Sequence, residues 1–168
     1  MTSRVAVVGW HNAGKTTVVE GLVREFRARG ARVAVLKNAS VGFQLDHPGT
    51  DTWRFAEAGA NTVVITSRNG LGWLEQREQA PDLAELMRRL DGTVDLVILE
   101  GFKHEPGPKV EVVREATGTD PIVAGDDLVA LVSDDPIDNR QVPMFRFDQV
   151  AALADLLVQR GLCPATLR

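Results

Sequence analysis

The chain has 168 residues, 44% of them hydrophobic and 25% charged, which is the size and composition of a single globular domain spanning residues 1–168. Its net charge of −4 and the lack of any apolar run near the ~20 residues that cross a bilayer exclude a basic nucleic-acid-binding face and a membrane span. The single cysteine, Cys163, cannot form an internal disulfide, and no signal-peptide pattern precedes the first strand. We therefore expect a cytoplasmic protein that binds neither nucleic acid nor a membrane.

The first informative stretch runs from Gly9 to Thr16 and reads G-x-x-x-x-G-K-T. A β-branched run, Arg4–Val8, precedes it, and apolar residues at helical spacing follow over Lys15–Arg29. Strand, glycine loop and helix are the order that a phosphate-binding loop requires. A chance match is the alternative, and the flanking elements argue against it.

The loop pattern also predicts individual contacts. Backbone N–H groups and the positive end of the helix would surround the phosphates of a nucleotide. The Lys15 ammonium would reach the terminal phosphates, and the Thr16 hydroxyl would be a ligand of Mg²⁺. His11 has no His or Cys partner at ligand spacing, so a surface position is expected rather than a metal site. The predicted nucleotide-binding residues are Gly9, His11, Asn12, Ala13, Gly14, Lys15, Thr16 and Thr17.

The following elements alternate between strand and helix. Gly30 predicts the end of the first helix, and a second strand is expected over 32–36. A helix over 50–58 would begin with Thr50 as its N-cap. A strand over 61–66, a turn at Asn69-Gly70 and a returning strand over 71–76 predict a hairpin. A helix over 81–90 follows.

The second half of the chain continues the alternation. The apolar run within 95–101 predicts a central strand, whereas the alternating pattern over 110–114 suggests a strand at an edge. Further strands are expected over 128–132 and 143–147, and Asp148 is the expected cap of a last helix. We therefore predict a three-layer α/β fold with a mostly parallel central sheet and helices on both faces. A nucleotide would bind at the carboxyl ends of the strands.

Several carboxylates could take part in the chemistry. Glu100 ends the predicted central strand, where it could hold Mg²⁺ or orient an attacking water; the alternative is a residue that only ends the strand. Asp95 begins that strand, roughly 13 Å away, and is expected at the surface. Asp46 and Asp51 follow the second strand, and either could complete a metal site. Asp51 would also be favoured simply because it lies in the first turn of a helix.

Other polar residues leave alternatives open. Lys37 could contact phosphate or be solvated, and Arg54, Lys103 and Lys109 are candidates for phosphate or partner contacts. Asp134 or Asp135 could accept hydrogen bonds from guanine, or the pair could belong to a plain polar turn. No N-K-x-D motif for guanine is present.

Taken together, several segments resemble the molybdopterin-guanine dinucleotide biosynthesis adapter family. The D-x-P-G-x-D and E-G-F-K patterns are more specific than the glycine loop, which many families share. There are two departures: Lys37 is followed by Asn38 instead of histidine, and Gly49–Thr52 replaces G-K-D-S. Roles of the missing His and Lys residues cannot be transferred. The matching segments are 9–17, 43–54, 58–60, 99–103 and 108–114.

The resemblance implies a P-loop protein, similar to dethiobiotin synthetase in fold, that binds GTP and Mg²⁺ and hydrolyses GTP slowly at most. Lys15 and Glu100 would be its catalytic residues, and Thr16, Asp51 and Glu100 its metal ligands. It also implies a homodimer that assists the molybdenum cofactor guanylyltransferase in attaching GMP to molybdopterin.

Three other functions fit parts of the sequence. One is an ATP-dependent small-molecule kinase or ligase on the same fold. A second is a metal-insertion GTPase, although three scattered histidines and one cysteine argue against it. The third is an adaptor that binds GTP with negligible hydrolysis.

Overall fold

The computed structural model describes residues 2–39, 42–137 and 141–163. The chain divides into two compact units, and each is described separately. The first unit comprises Met1–Asn38 and Met87–Arg168, and the second comprises Ala39–Leu86. None of the helices in the described ranges is long and apolar enough to cross a membrane.

The elements follow the predicted alternation. In chain order they are β1 (Ser3–Gly9), α1 (Lys15–Ala28), β2 (Val33–Lys37), α2 (Asp51–Glu57), β3 (Thr62–Ser67), β4 (Gly70–Glu75), α3 (Leu83–Leu90), β5 (Leu96–Glu100), β6 (Lys109–Val112), β7 (Leu128–Val132), β8 (Met144–Phe145) and α4 (Val150–Gln159). Two short 3₁₀ turns, Glu115–Thr117 and Gly125–Asp127, lie between β6 and β7.

Six strands of the first unit form one sheet in the order β2-β5-β1-β6-β7-β8. All five neighbouring pairs are parallel, so their carboxyl ends lie at one edge of the sheet. In the register, Glu100 is the partner of both Val7 and Lys37. This α/β arrangement with a mostly parallel central sheet confirms the predicted fold class.

The core of the first unit lies where α1 and α4 pack together against the sheet. Val5 and Val7 of β1 are fully buried there, as are Leu22 and Phe26 of α1. The apolar residues of α1 recur at helical spacing and therefore lie on one face. Burying one Leu or Phe side chain contributes about 1.5–3 kcal/mol to the free energy of unfolding. Leu153 and Leu157 supply the matching face of α4.

The prediction that β6 is an edge strand is wrong, because it lies between β1 and β7. Its polar side chains, Lys109 and Glu111, are buried, and both have partners. The Lys109 ammonium lies 2.8 Å from a carboxylate oxygen of Asp127, and Glu111 accepts a 2.8 Å hydrogen bond from the Ile122 backbone N–H. A buried strand can therefore alternate in polarity when each polar group is paired.

Two smaller predictions about helix starts have different outcomes. Thr50 is the N-cap of α2, as predicted, and its hydroxyl accepts a hydrogen bond from the Trp53 N–H at 3.2 Å. Asp148 is not the cap of α4; Gln149 occupies that position, and its side chain makes no capping hydrogen bond.

The second unit contains α2 and a separate two-stranded sheet. Strands β3 and β4 form the predicted antiparallel hairpin, with Ser67 paired to Gly70 next to the turn. Helix α2 packs against β3, and the Gln76 amide donates to the Ala56 carbonyl at 3.2 Å. Only Val63 of β3 is buried, and several apolar side chains of both strands remain exposed.

Candidate nucleotide-binding site

The glycine loop links the carboxyl end of β1 to the first turn of α1. At Gly9, a Cβ atom would collide with the Val112 carbonyl oxygen of the adjacent strand. At Gly14, φ is +101°, and a Cβ atom would lie 2.7 Å from the Phe147 ring. Only glycine fits both positions, because one is crowded and the other is both left-handed and crowded. The two glycines therefore allow neighbouring groups of the protein to pack directly against the loop backbone.

Lys15 lies at the start of α1 and folds back over this loop. Its ammonium donates to the carbonyl oxygens of Gly9 at 3.1 Å and Trp10 at 2.8 Å. Partial burial lowers the pKa of Lys15, the nearby Glu100 raises it, and the nearby Lys37 lowers it. The Lys15 ammonium is thus held against the backbone of the loop, where phosphate oxygens could replace the two carbonyl oxygens as its hydrogen-bond acceptors.

Thr16 and Glu100 come together as the sequence predicts. The Thr16 hydroxyl donates to the Glu100 carboxylate, at 3.3 Å from one oxygen and 3.4 Å from the other. Side chains alternate along β5, so Glu100 shares the face of Leu96 and Ile98, which is the face that α1 covers. Glu100 is only 7% exposed. The residue at the end of the central strand therefore points at the start of α1.

Lys37 completes this group of side chains. Its ammonium lies 2.8 Å from one Glu100 oxygen, while 59% of its side chain remains exposed. The sequence left phosphate contact and solvation open for Lys37. The register explains the ion pair, because β2 and β5 are neighbours and Lys37 and Glu100 are direct partners.

The donor set fits Mg²⁺, because a hydroxyl and a carboxylate are the hard oxygen ligands that this ion accepts. Within the described ranges, no three His, Cys, Asp or Glu side chains gather into a metal site. A magnesium ion here would thus need phosphate oxygens and waters to complete its coordination, as is usual for Mg²⁺ bound with nucleotides.

The other two candidate carboxylates, Asp46 and Asp51, belong to the second unit. Asp51 opens α2 with 85% of its side chain exposed, 3.8 Å from Arg54. Asp46 accepts hydrogen bonds from the Thr50 hydroxyl and the His47 N–H, both at 2.8 Å. Hydrogen bonds from the hydroxyls of Thr52 and Thr50 lower the pKa of Asp46. Asp46 thus organises the turn before α2, whereas Asp51 is exposed beside Arg54, and its role as a metal ligand stays a prediction.

The two aspartates after β7 hold neighbouring loops. Asp134 accepts a hydrogen bond from the Phe147 N–H at 3.3 Å, and Asp135 accepts one from the Glu115 N–H at 2.8 Å. The polar turn that the sequence allowed is therefore present. A contact with guanine stays a prediction.

Sequence reasoning missed two aromatic contacts of the loop. The Arg114 guanidinium stacks on the Phe147 ring, 4.9 Å from its centroid, and that ring lies against Gly14. The Trp10 indole N–H donates to the Asp120 carbonyl at 3.1 Å, and the Lys103 ammonium lies 5.8 Å from its ring. A tryptophan inside the motif was the available signal, because a large side chain there must pack on something.

The family model for molybdopterin guanine dinucleotide synthesis protein B matches residues 4–134, which include the whole loop, Lys37 and Glu100. The chain belongs to this family. The Escherichia coli (strain K12) molybdopterin-guanine dinucleotide biosynthesis adapter protein is 31% identical over 95% of this chain and 93% of its own length. The Haemophilus influenzae protein of the same name is 33% identical over 88% of this chain and 84% of its own length.

Solved structures of the family agree with the fold. The crystal structure of Bacillus subtilis MobB superimposes with a TM-score of 0.76 at 25% identity, covering 97% of this chain and 99% of that one. A crystal structure of molybdopterin-guanine biosynthesis protein B gives a TM-score of 0.71 at 27% identity, covering 94% and 99%. Both units of this chain thus have counterparts in the family.

Proposed function

We propose that this protein binds GTP with Mg²⁺ and acts as an adapter in molybdopterin-guanine dinucleotide biosynthesis. The observation that carries the nucleotide site is the meeting of the Thr16 hydroxyl and the Glu100 carboxylate beside the glycine loop, 3.3 Å apart. Both groups are hard oxygen ligands, and Lys15 supplies a positive charge next to them. Both units would belong to one nucleotide-binding domain spanning residues 1–168.

The adapter role comes from the relatives, whose names describe them as adapter proteins of this biosynthesis. For this chain we propose that the partner is the molybdenum cofactor guanylyltransferase and that the product of the joint step is molybdopterin carrying GMP. We also propose a cytoplasmic location, because a chain with one cysteine fits a reducing compartment.

In this proposal the chain mainly binds and orients the nucleotide. N–H groups of residues 11–17 and the Lys15 ammonium would hold the β- and γ-phosphates. Glu100 and Thr16, with Asp51 as the further candidate, would hold Mg²⁺, which would neutralise charge on the phosphates. Glu100 would also orient a water toward the γ-phosphate. No arginine aimed at that position follows from the sequence, so turnover would be slow.

A homodimer is the second part of the proposal. Val64 and Trp73 are direct partners in the hairpin, and Leu71 lies on the same face; they are 44%, 59% and 69% exposed. An isolated two-stranded hairpin is marginally stable, and an exposed apolar face of this kind is typical of an interaction surface. We propose a second copy as its occupant, because twofold homodimers are the commonest assemblies.

Calorimetric titration of the purified protein tests the nucleotide site. GTP and ATP would each be added with and without Mg²⁺. The proposal expects tighter binding of GTP than of ATP, with Mg²⁺ strengthening it. Preference for ATP, or equal binding of both nucleotides, would favour an ATP-dependent kinase or ligase instead. Transfer of phosphate to a second substrate would then be measured.

Co-purification tests the adapter role separately. A tagged guanylyltransferase from the same cells should retain this protein, and retention should survive a salt wash if the interface is specific. Absence of retention with intact GTP binding would reject this partner and leave the nucleotide site standing.

A further inference from the structure

One oxygen of Glu100 has two neighbours of different kinds. Its Oε1 atom lies 3.3 Å from the Thr16 hydroxyl oxygen and 2.8 Å from the Lys37 ammonium. The hydroxyl and the carboxylate are the groups proposed to hold Mg²⁺. The Thr16 hydroxyl lies 3.4 Å from the other oxygen, Oε2, so the Lys37 ammonium sits on one of the two carboxylate oxygens that Thr16 contacts.

A metal ion and this ammonium would exclude each other. Mg²⁺ binds oxygen at about 2.1 Å, so an ion on Oε1 would lie within roughly 5 Å of the Lys37 nitrogen in its present position. At that distance, near a carboxylate that is only 7% exposed, the two positive charges would repel strongly. Mg²⁺ binding at this oxygen therefore competes with the Lys37 ammonium.

Lys37 is placed so that it can leave. It ends β2, the outermost strand on that side of the sheet, and 59% of its side chain is exposed. Its ammonium could return to water without uncovering the core. Lys15 differs, since two loop carbonyls hold its ammonium. The charges are nevertheless coupled, because Glu100 and Lys37 shift the pKa of Lys15 in opposite directions.

We propose that Lys37 is an internal counter-ion that makes Mg²⁺ binding at Glu100 conditional on the nucleotide. Without nucleotide, the ammonium neutralises the carboxylate and keeps the free metal ion out. A magnesium ion that is also bound by the phosphate oxygens of a nucleotide is held by more ligands. It can therefore displace the Lys37 ammonium from Glu100. This inference rests on the proposed binding of nucleotide at the glycine loop.

The test uses Mg²⁺ alone, with the full chain and no nucleotide, measured by thermal unfolding and by calorimetry. Millimolar Mg²⁺ should leave the Tm of the wild type unchanged. Lys37→Met should gain an Mg²⁺-dependent rise in Tm and bind Mg²⁺ at least about tenfold more tightly than the wild type. Lys37→Arg keeps the charge and should behave like the wild type.

Two further variants assign the effect to Glu100. Arg24→Met is the matched control, because it removes the same charge from a 3.0 Å ion pair with Glu20 on the exposed face of α1. It should gain no response to Mg²⁺. Adding Glu100→Gln to Lys37→Met should abolish the gain. Lys37→Gln retains a hydrogen-bond donor for Glu100 without the charge, so it gives the answer even if the Met variant does not fold.

Equal Mg²⁺ affinity of the wild type and the two uncharged variants would overturn this inference. Its failure is distinguishable from failure of the proposed function. If GTP binds with Mg²⁺ but removing the Lys37 charge changes nothing, only the counter-ion inference falls. If the uncharged Lys37 variants bind Mg²⁺ but neither they nor the wild type bind GTP, the proposed function is rejected. The exclusion of free Mg²⁺ by Lys37 is then still supported.

Discussion

The two units bury their candidate metal-binding carboxylates very differently. The Glu100 side chain of the first unit is 9% exposed and contacts Thr16 and Lys37, whereas the Asp51 side chain of the second unit is 85% exposed. The apolar residues follow the same division: β5 is buried along its whole length, and the hairpin exposes Leu71 and Trp73. The candidate carboxylate of the first unit is therefore buried between two partners, whereas the second unit exposes its candidate carboxylate and its apolar side chains to solvent.

The largest effect is expected when the positive charge of Lys15 is removed from the glycine loop of the first unit. Lys15→Ala should weaken GTP binding by at least about 100-fold, because charge-assisted contacts to phosphate contribute roughly 1.5–3 kcal/mol each. Stability should change by at most about 1 kcal/mol, since Lys15 is not part of the core. Calorimetry and thermal unfolding measure the two effects, and unchanged GTP affinity would remove the loop from the binding site.

A second pair of variants compares the two carboxylates directly. Glu100→Gln should weaken Mg²⁺-dependent GTP binding about tenfold or more and leave Mg²⁺-free binding nearly unchanged, because it removes the negative charge from a proposed ligand of the metal. Asp51→Asn should do the same if the second unit contributes a ligand.

Titrations of GTP with Mg²⁺ and with EDTA separate these cases. Equal losses in both conditions would exclude the substituted residue from the metal shell. A loss for Glu100→Gln alone would confine the metal ligands to the first unit.

Much of the first unit could be predicted from local pattern. The β1–loop–α1 sequence carries its periodicity, its glycines and its Lys-Thr pair within about twenty residues of chain, and these features act locally. Glu100 could be placed because the carboxyl ends of parallel strands share one edge. The Lys37 ion pair depends on β2 and β5 being neighbours across some sixty residues of chain, and the sequence does not state that order.

The wrong prediction for β6 has a different cause. Periodicity reports which side chains are polar, and an edge strand is the usual reason for alternation. Here Lys109 and Glu111 are buried with specific partners, Asp127 and the Ile122 N–H, that come from the segment following β6. Pairing between distant groups cannot be seen in a single sequence.

The third prediction tests burial in the two units with one type of substitution. Leu22→Ala on α1 should destabilise the protein by about 2–5 kcal/mol, because Leu22 is fully buried and a cavity would remain. Leu71→Ala on the hairpin should cost less than about 0.5 kcal/mol in dilute protein, since Leu71 is 69% exposed.

Urea denaturation at low and high protein concentration provides the measurement. If the hairpin face is a dimer interface, Leu71→Ala should also weaken self-association, and its stability deficit should grow with protein concentration. A deficit for Leu71→Ala that equals that of Leu22→Ala in dilute protein would contradict the comparison.

The smallest expected effect comes from an exposed ion pair within the first unit. It tests whether the contribution of a side chain to stability follows its exposure or the unit to which it belongs. Hydrogen bonds from the Arg32 side chain and backbone lower the pKa of Asp95 to about 2. A lowered pKa means that the pair stabilises the fold above the unfolded-state pKa of about 3.9 and that this contribution disappears as the pH falls toward 2. Asp95→Asn should thus be slightly less stable than the wild type at pH 6, and the difference should shrink below about pH 4. Denaturation curves of both proteins at a series of pH values measure this. A difference that does not depend on pH would mean that Asp95 acts through shape, and that the ion pair itself adds nothing.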